Sequence, residues 1–278
     1  METENGPVHY WVEGKDKDKE CLFFIHGMAL THHIFIPQLD YFKDDYTIIL
    51  IDVPGHGESR PYKKYSQSEC VEMIARIITR EGYTHAHIIG ESMGGYIAQE
   101  FAWTYPEYTQ SLSFIGSHPL GKKYYWGIEK FILNHLHHII ALAPYPLIVG
   151  TTVAFSGKNK IGKRFTYYSL TQHSKQEIRQ ISKEVYEDFL SFDEDLPFHS
   201  DIPVGAFFGD RDAIGRLKMI GLKWAENRGY YASSIPNAGH NINIDHPSAL
   251  NQELGYFLTE GLRLMPVSKE EFSTMLLV

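Results

Sequence analysis

The run Gly90-Glu91-Ser92-Met93-Gly94-Gly95 holds the one serine whose surroundings suit nucleophilic chemistry. It fits Gly-x-Ser-x-Gly, with a short apolar run before it (His85 to Gly90) and a helical run after it (Tyr96 to Tyr105, stopped by Pro106). Strand, tight turn, serine and helix make a nucleophile elbow. The turn is too sharp for side chains on its flanks, so Gly90 and Gly94 leave room for the backbone. The helix start behind Ser92 offers unpaired N–H groups and a partial positive charge, which suit a developing oxyanion. A lone match to this pattern is weak, because a hydroxyl of ordinary pKa needs a base, and the base needs an orienting acid.

Other chemistry-bearing residues follow apolar runs along the chain. His26-Gly27-Met28 follows 21–25, and Asp52-Val-Pro-Gly55-His56-Gly57-Glu58-Ser59 follows 46–51. Asp210-Arg211-Asp212 follows 203–208, and Gly239-His240 follows 230–235. A nucleophile, an acid and a base thus fall beyond separate strands, where open parallel sheets bind ligands. His240 is the candidate base, and Asp210 and Asp212 both qualify as the acid. Asp52 is expected to organise its own turn, Asp245 to cap the helix begun by His246-Pro247, and His26 to be structural. His135 and His138 share a helix face, but no carboxylate or cysteine stands in register with them, so no metal is expected. His118 and Trp126 are candidate substrate contacts.

The elements that must position these residues alternate. Strands are expected at 8–13 (an edge), 21–25, 46–51, 85–89, 111–115, 203–208 and 230–235. Helices are expected at 34–42, 68–81, 96–105, 214–227 and 247–262. On the 68–81 helix Val71, Ile74, Ala75 and Ile78 share a face. Unbroken apolar runs such as Cys21-Leu-Phe-Phe-Ile25 suit strands covered on both faces. Strands separated by helices imply a parallel sheet with right-handed crossovers. From Pro119 to His199 no strand is convincing, and turns are expected at Ala143-Pro144, Ser156-Gly157 and Leu196-Pro197. The division is therefore a core of residues 1–118 and 200–278 with a helical cap inserted at 119–199. The tail after Pro266 is unassigned.

The 278 residues are 43% hydrophobic and 22% charged, enough for a sizeable core and against overall disorder. The net charge is −8 and the basic residues form no phosphate-binding stripe, so nucleic acid is not an expected partner. Cys21 and Cys70 read as two free buried thiols. Residues 131–149 are apolar, but Asn134, three histidines and Pro144 and Pro146 argue against a membrane span. The first residues carry no secretory pattern, so a cytoplasmic protein is expected.

With these motifs on the page, the chain resembles the α/β-hydrolase superfamily in its capped esterase and lipase-like branch, from about residue 20 to 262. The elbow, the Asp-x-Pro-Gly-His-Gly-x-Ser run at 52–59, and Gly239-His240 before Asp245-His-Pro247 carry the resemblance. It implies an α/β-hydrolase fold, a mostly parallel, doubly wound sheet with a helical cap. It implies Ser92 as nucleophile, Asp212 as acid, His240 as base, and the backbone N–H groups of Met28 and Met93 as oxyanion donors. It further implies hydrolysis of a small carboxylic ester, lactone or thioester through an acyl-enzyme, without a cofactor. The aromatic residues of the cap, among them Tyr124, Tyr125, Trp126 and Phe131, favour an apolar acyl or alcohol part, and a homodimer is left open. Cofactor-free C–C hydrolysis, perhydrolysis or lysis on the same triad, or a receptor that kept the triad, are the alternatives. The chain departs from many relatives at Glu91, where they carry histidine. A carboxylate there would raise the pKa of His240 if ionised, or would itself be protonated.

Overall fold

In the computed structural model, residues 1–193 and 201–261 are described. The expected turn at 196–197, the end of the expected cap and the tail after Pro266 lie outside them. Among the described residues seven strands form one sheet: β1 (Tyr10–Glu13), β2 (Cys21–Ile25), β3 (Thr47–Ile51), β4 (Ala86–Glu91), β5 (Thr109–Ile115), β6 (Val204–Gly209) and β7 (Tyr231–Ile235). Their spatial order is β1-β3-β2-β4-β5-β6-β7. Only β1 runs antiparallel, on the edge beside β3; every other pairing is parallel.

The apolar runs explain this sheet. Along β2, Cys21, Phe23 and Ile25 enter one core while Leu22 and Phe24 enter the other. In β3, Ile49 and Ile51 join the first core and Ile48 and Leu50 the second. A strand sends alternate side chains to opposite faces, so a sheet covered on both sides needs apolar residues at every position. Helices α2 (Gln67–Arg80), α3 (Met93–Thr104) and α8 (Leu217–Arg228) cover one face. Helices α1 (Ile36–Phe42) and α10 (Pro247–Tyr256) cover the other. The sheet is doubly wound, as the resemblance to α/β hydrolases implies.

Among the described residues between β5 and β6 the regular elements are helices: α4 (Gly127–Leu142), α5 (Tyr145–Ser156), α6 (Lys160–Thr171) and α7 (Lys175–Ser191), besides a short 3-10 turn at Lys122–Tyr124. Pro144 and Gly157 separate α4, α5 and α6. Ser174 caps α7 by accepting from the Glu177 N–H, while Glu177 accepts from Ser174 N–H. A short helix α9 (Ile242–Asp245) precedes α10. Cys21 and Cys70 are buried and free.

Candidate active site

Ser92 stands alone between β4 and α3, with φ 51° and ψ −115°. A positive φ of this kind costs a serine of order 1–3 kcal/mol, and the surroundings must enforce it. Ser92 N–H donates to Ile115 O (2.9 Å) and its carbonyl accepts from Gly95 N–H (2.9 Å). The two flanking glycines are forced by contact: a Cβ on Gly90 would lie 2.2 Å from Gly94 O, and one on Gly94 2.1 Å from Ile25 O. The elbow therefore packs directly on the end of β2.

Two further loops converge on this serine. Beyond β6, Asp212 anchors its turn by accepting from Ile214 N–H (2.9 Å). Its other oxygen lies 2.9 Å from His240 Nδ1. Beyond β7, His240 Nε2 lies 2.9 Å from Ser92 Oγ. The loops are tied together by Asp210 N–H to Ile235 O (2.9 Å) and Arg211 N–H to Ala238 O (3.0 Å). Asp210 itself is exposed. Burial alone would depress the His240 pKa, but Asp212 and then Glu91 outweigh it, so it ends above the usual 6.5. Burial would raise Asp212, and His240 holds it below the usual value. An imidazole so oriented can take a proton from the hydroxyl, and the carboxylate stabilises the resulting imidazolium.

Met93 opens α3, so its N–H has no helical acceptor. Met28 lies in the loop after β2, and both methionines line a cavity of about 130 Å³ in front of Ser92. The inserted helices supply much of the opposite wall: Thr152 of α5, Leu170 of α6 and Tyr186 of α7. His118 does not reach this cavity. It is buried, its ring bonded to Tyr125 Oη and 3.2 Å from Tyr96 Oη, and it lines an adjoining cavity of about 230 Å³. Trp126 lines neither; it is 61% exposed and its ring lies 3.8 Å beneath the Arg216 guanidinium.

Glu91 is the unexpected neighbour. It is fully buried, lines the same cavity, and lies 3.9 Å from His240 Nε2. Its carboxyl rests against Gly27, whose N–H faces it without reaching hydrogen-bond geometry, and neither oxygen has a hydrogen-bond partner. Burial pushes its pKa up to about 7, against the opposing pull of His240.

Asp52 does organise its turn. It accepts from the backbone and ring of His32 (both 2.8 Å) and from Glu58 N–H (2.8 Å). Burial would raise it, but these bonds and the His26 ring hold it at about 2. His26 Nε2 accepts from Val53 N–H (2.9 Å) and Nδ1 donates to Gly27 O (2.8 Å), which joins the β2 and β3 loops. Asp245 corrects an expectation. It does not cap α10, whose start has no side-chain cap. Its carboxylate accepts from Gly239 N–H (2.9 Å), next to His240, and from Lys158 and Asn159 N–H (2.8 and 3.1 Å) between α5 and α6. Sequence reading missed this link because an aspartate before His-Pro fits a cap equally well, and its partners lie 86 and 87 residues away. The cavity walls at Thr152 and Tyr186 carried no signal beyond helical character. Among the described residues no group of three His, Cys, Asp or Glu could hold a metal ion. None of the described helices is long and apolar enough to cross a membrane.

Comparison with known proteins agrees with this architecture. Residues 20–137 match the family model described as alpha/beta hydrolase fold. Over 259 residues the chain is 28% identical to a pimeloyl-[acyl-carrier protein] methyl ester esterase of Wigglesworthia glossinidia brevipalpis, covering 85% of this chain and 93% of that protein. A thermophilic esterase from Thermogutta terrifontis superposes with a TM-score of 0.73 at 16% identity, covering 91% of this chain and 93% of that one. MenH from S. aureus gives 0.72 at 17% identity, covering 93% and 99%.

Proposed function

The chain belongs to the α/β-hydrolase superfamily, and from that premise we propose that it hydrolyses a carboxylic ester through an acyl-enzyme on Ser92. His240 takes the Ser92 proton as the hydroxyl attacks the carbonyl carbon. Asp212 holds the imidazole in the productive tautomer and stabilises its cation. The N–H groups of Met28 and Met93 receive the oxyanion; one such donor is worth about 3 kcal/mol in well-studied hydrolases. The alcohol leaves with the proton from His240. Water, activated by the same imidazole, then releases the acid.

The helices α4–α7 serve as a cap over this site, excluding water and selecting the acyl group. A cavity of about 130 Å³ walled by Met28, Leu170 and Val185 suits a short apolar acyl group. The relative from Wigglesworthia is named as a methyl ester esterase, which favours an ester with a small alcohol.

One observation carries the reading: the unbroken chain Asp212–His240–Ser92, each link 2.9 Å, ending at a serine of positive φ that lines a cavity. Hydrolysis of p-nitrophenyl acetate tests it. The wild type is expected to turn over, and Ser92→Ala to lose at least about 10³-fold in kcat. A fluorophosphonate should label Ser92 alone. Equal rates in the two proteins would overturn the assignment.

A further inference from the structure

Helix α4 is apolar on more sides than the fold can cover. Leu133, Leu136 and Ile140 pack inward against the molecule. Ile128, Phe131, Ile132, Ile139 and Leu142 recur at helical spacing on its outer side, and Leu142 is 88% exposed. Leu147 and Phe155 of α5, and Ile161 and Tyr168 of α6, are also more than half exposed. Single exposed apolar residues are ordinary, but a concentration on three consecutive helices marks a surface that meets an apolar partner.

Charge identifies the partner. Residues 119–176 contain eight lysines and arginines and one carboxylate, Glu129, within a chain of net charge −8. Lys160, Lys163 and Arg164 are exposed on α6 beside Ile161. A second copy of this face would oppose like charges. An anionic bilayer complements them, and aromatic and aliphatic residues interspersed with lysine and arginine are the composition of an interfacial surface.

The face is also joined to the site. An apolar groove of about 350 Å³ runs between α4 and α5, walled by Ile139, Leu147 and Ile148. It shares Met28, Thr152 and Leu170 with the cavity in front of Ser92. We propose that the outer face of α4, α5 and α6 docks on an anionic lipid bilayer, and that the groove takes an acyl chain from it towards Ser92. The second half rests on the hydrolase reading above; the docking does not.

Co-sedimentation of the full chain with vesicles tests the docking. Vesicles of equal parts phosphatidylglycerol and phosphatidylcholine are expected to bind it at least about ten-fold more tightly than phosphatidylcholine alone, and high salt to release it. Ile128→Ser, Phe131→Ser and Leu142→Ser together should lose about ten-fold in binding while p-nitrophenyl acetate hydrolysis stays at the wild-type rate. Lys160→Glu, Lys163→Glu and Arg164→Glu together should abolish the preference for anionic vesicles. A wild type that sediments with neither vesicle overturns the proposal. So does a triple serine variant that binds unchanged, or one that instead splits a wild-type dimer in sedimentation velocity. Vesicle binding without ester turnover would leave the docking standing and remove the hydrolase reading; turnover without binding would do the reverse.

Discussion

Glu91 places a buried acid 3.9 Å from the imidazole nitrogen that faces Ser92, with no hydrogen bond to hold its charge. Two effects follow, and they have separable signs. Its negative charge is one of the forces that lift the His240 pKa. Replacing it with glutamine should lower that pKa, so the acid limb of kcat/KM should move to lower pH. A pH–rate profile of Glu91→Gln checks this, and an unmoved limb would disprove it. The second effect is on stability. Glu91 holds its proton more tightly folded, at about 7, than unfolded, near 4.5. The folded state therefore loses stability as pH rises from about 4.5 to about 7. Glu91→Gln should be more stable than wild type at pH 8, by on the order of a few kcal/mol, and no more stable at pH 4. Denaturant unfolding at the two pH values measures the difference. The identity of this residue was legible in the sequence, and so were its two possible states. Its lack of a hydrogen-bond partner was not, because that depends on its packing against Gly27, 64 positions away, where a Cβ would lie 2.2 Å from its Oε2.

At the scale of elements, the strands were readable and the inserted helices were readable only as helices. Five-residue apolar runs bounded by turns have one good use in a chain of this length, a strand buried on both faces, so β2 and β3 fall within a residue of expectation. The ends of β4 and α3 that face Ser92 shifted by two and three residues because the elbow itself extends both elements up to Ser92. The region from α4 to α7 lacks strand signals, but which aromatic side chains face inward depends on how α4 crosses α7, and periodicity does not encode that. Trp126 therefore lies on the outside, under Arg216, rather than in a cavity. The element-level device with the largest expected consequence is Asp245. One carboxylate satisfies three backbone N–H groups, two where α5 meets α6 and one beside His240. Asp245→Ala would leave these donors without their charged acceptor in a buried setting, at about 1–3 kcal/mol for each donor that water does not reach. The variant should melt several degrees lower and lose ester turnover well beyond the stability loss at a temperature where it stays folded. Thermal unfolding and kcat/KM at 15–20 °C test both; a variant with wild-type melting and activity would show that the link is dispensable.

Across the whole molecule, the balance of buried bases and acids sets the response to acid. His26 and His118 are held at about 4 by burial, His56 lies well below its usual value, and His173 is lowered by burial and by Arg60. Each binds its proton in the unfolded chain near pH 6.5 and refuses it when folded, so each contributes stability that is present above about pH 6.5 and lost as pH falls towards 4. Glu91 and His240 have raised values and act with the opposite sign, as do Glu100 and Asp188, raised by burial. His33 and His137 are lowered too, so the depressed histidines outnumber the raised groups, and unfolding takes up protons in this range. These histidines also sit where the architecture needs neutral rings: His26 bridges the β2 and β3 loops, and His56 stacks edge-on between His26 and His173. Protonating one would place a charge in a buried cluster, where the loss of solvation disfavours it. The free energy of unfolding should therefore rise steeply with pH between 4.5 and 6.5. Urea unfolding at half-unit steps gives the slope; a curve that is flat or descending in that window would mean that the rings take up protons without breaking the fold.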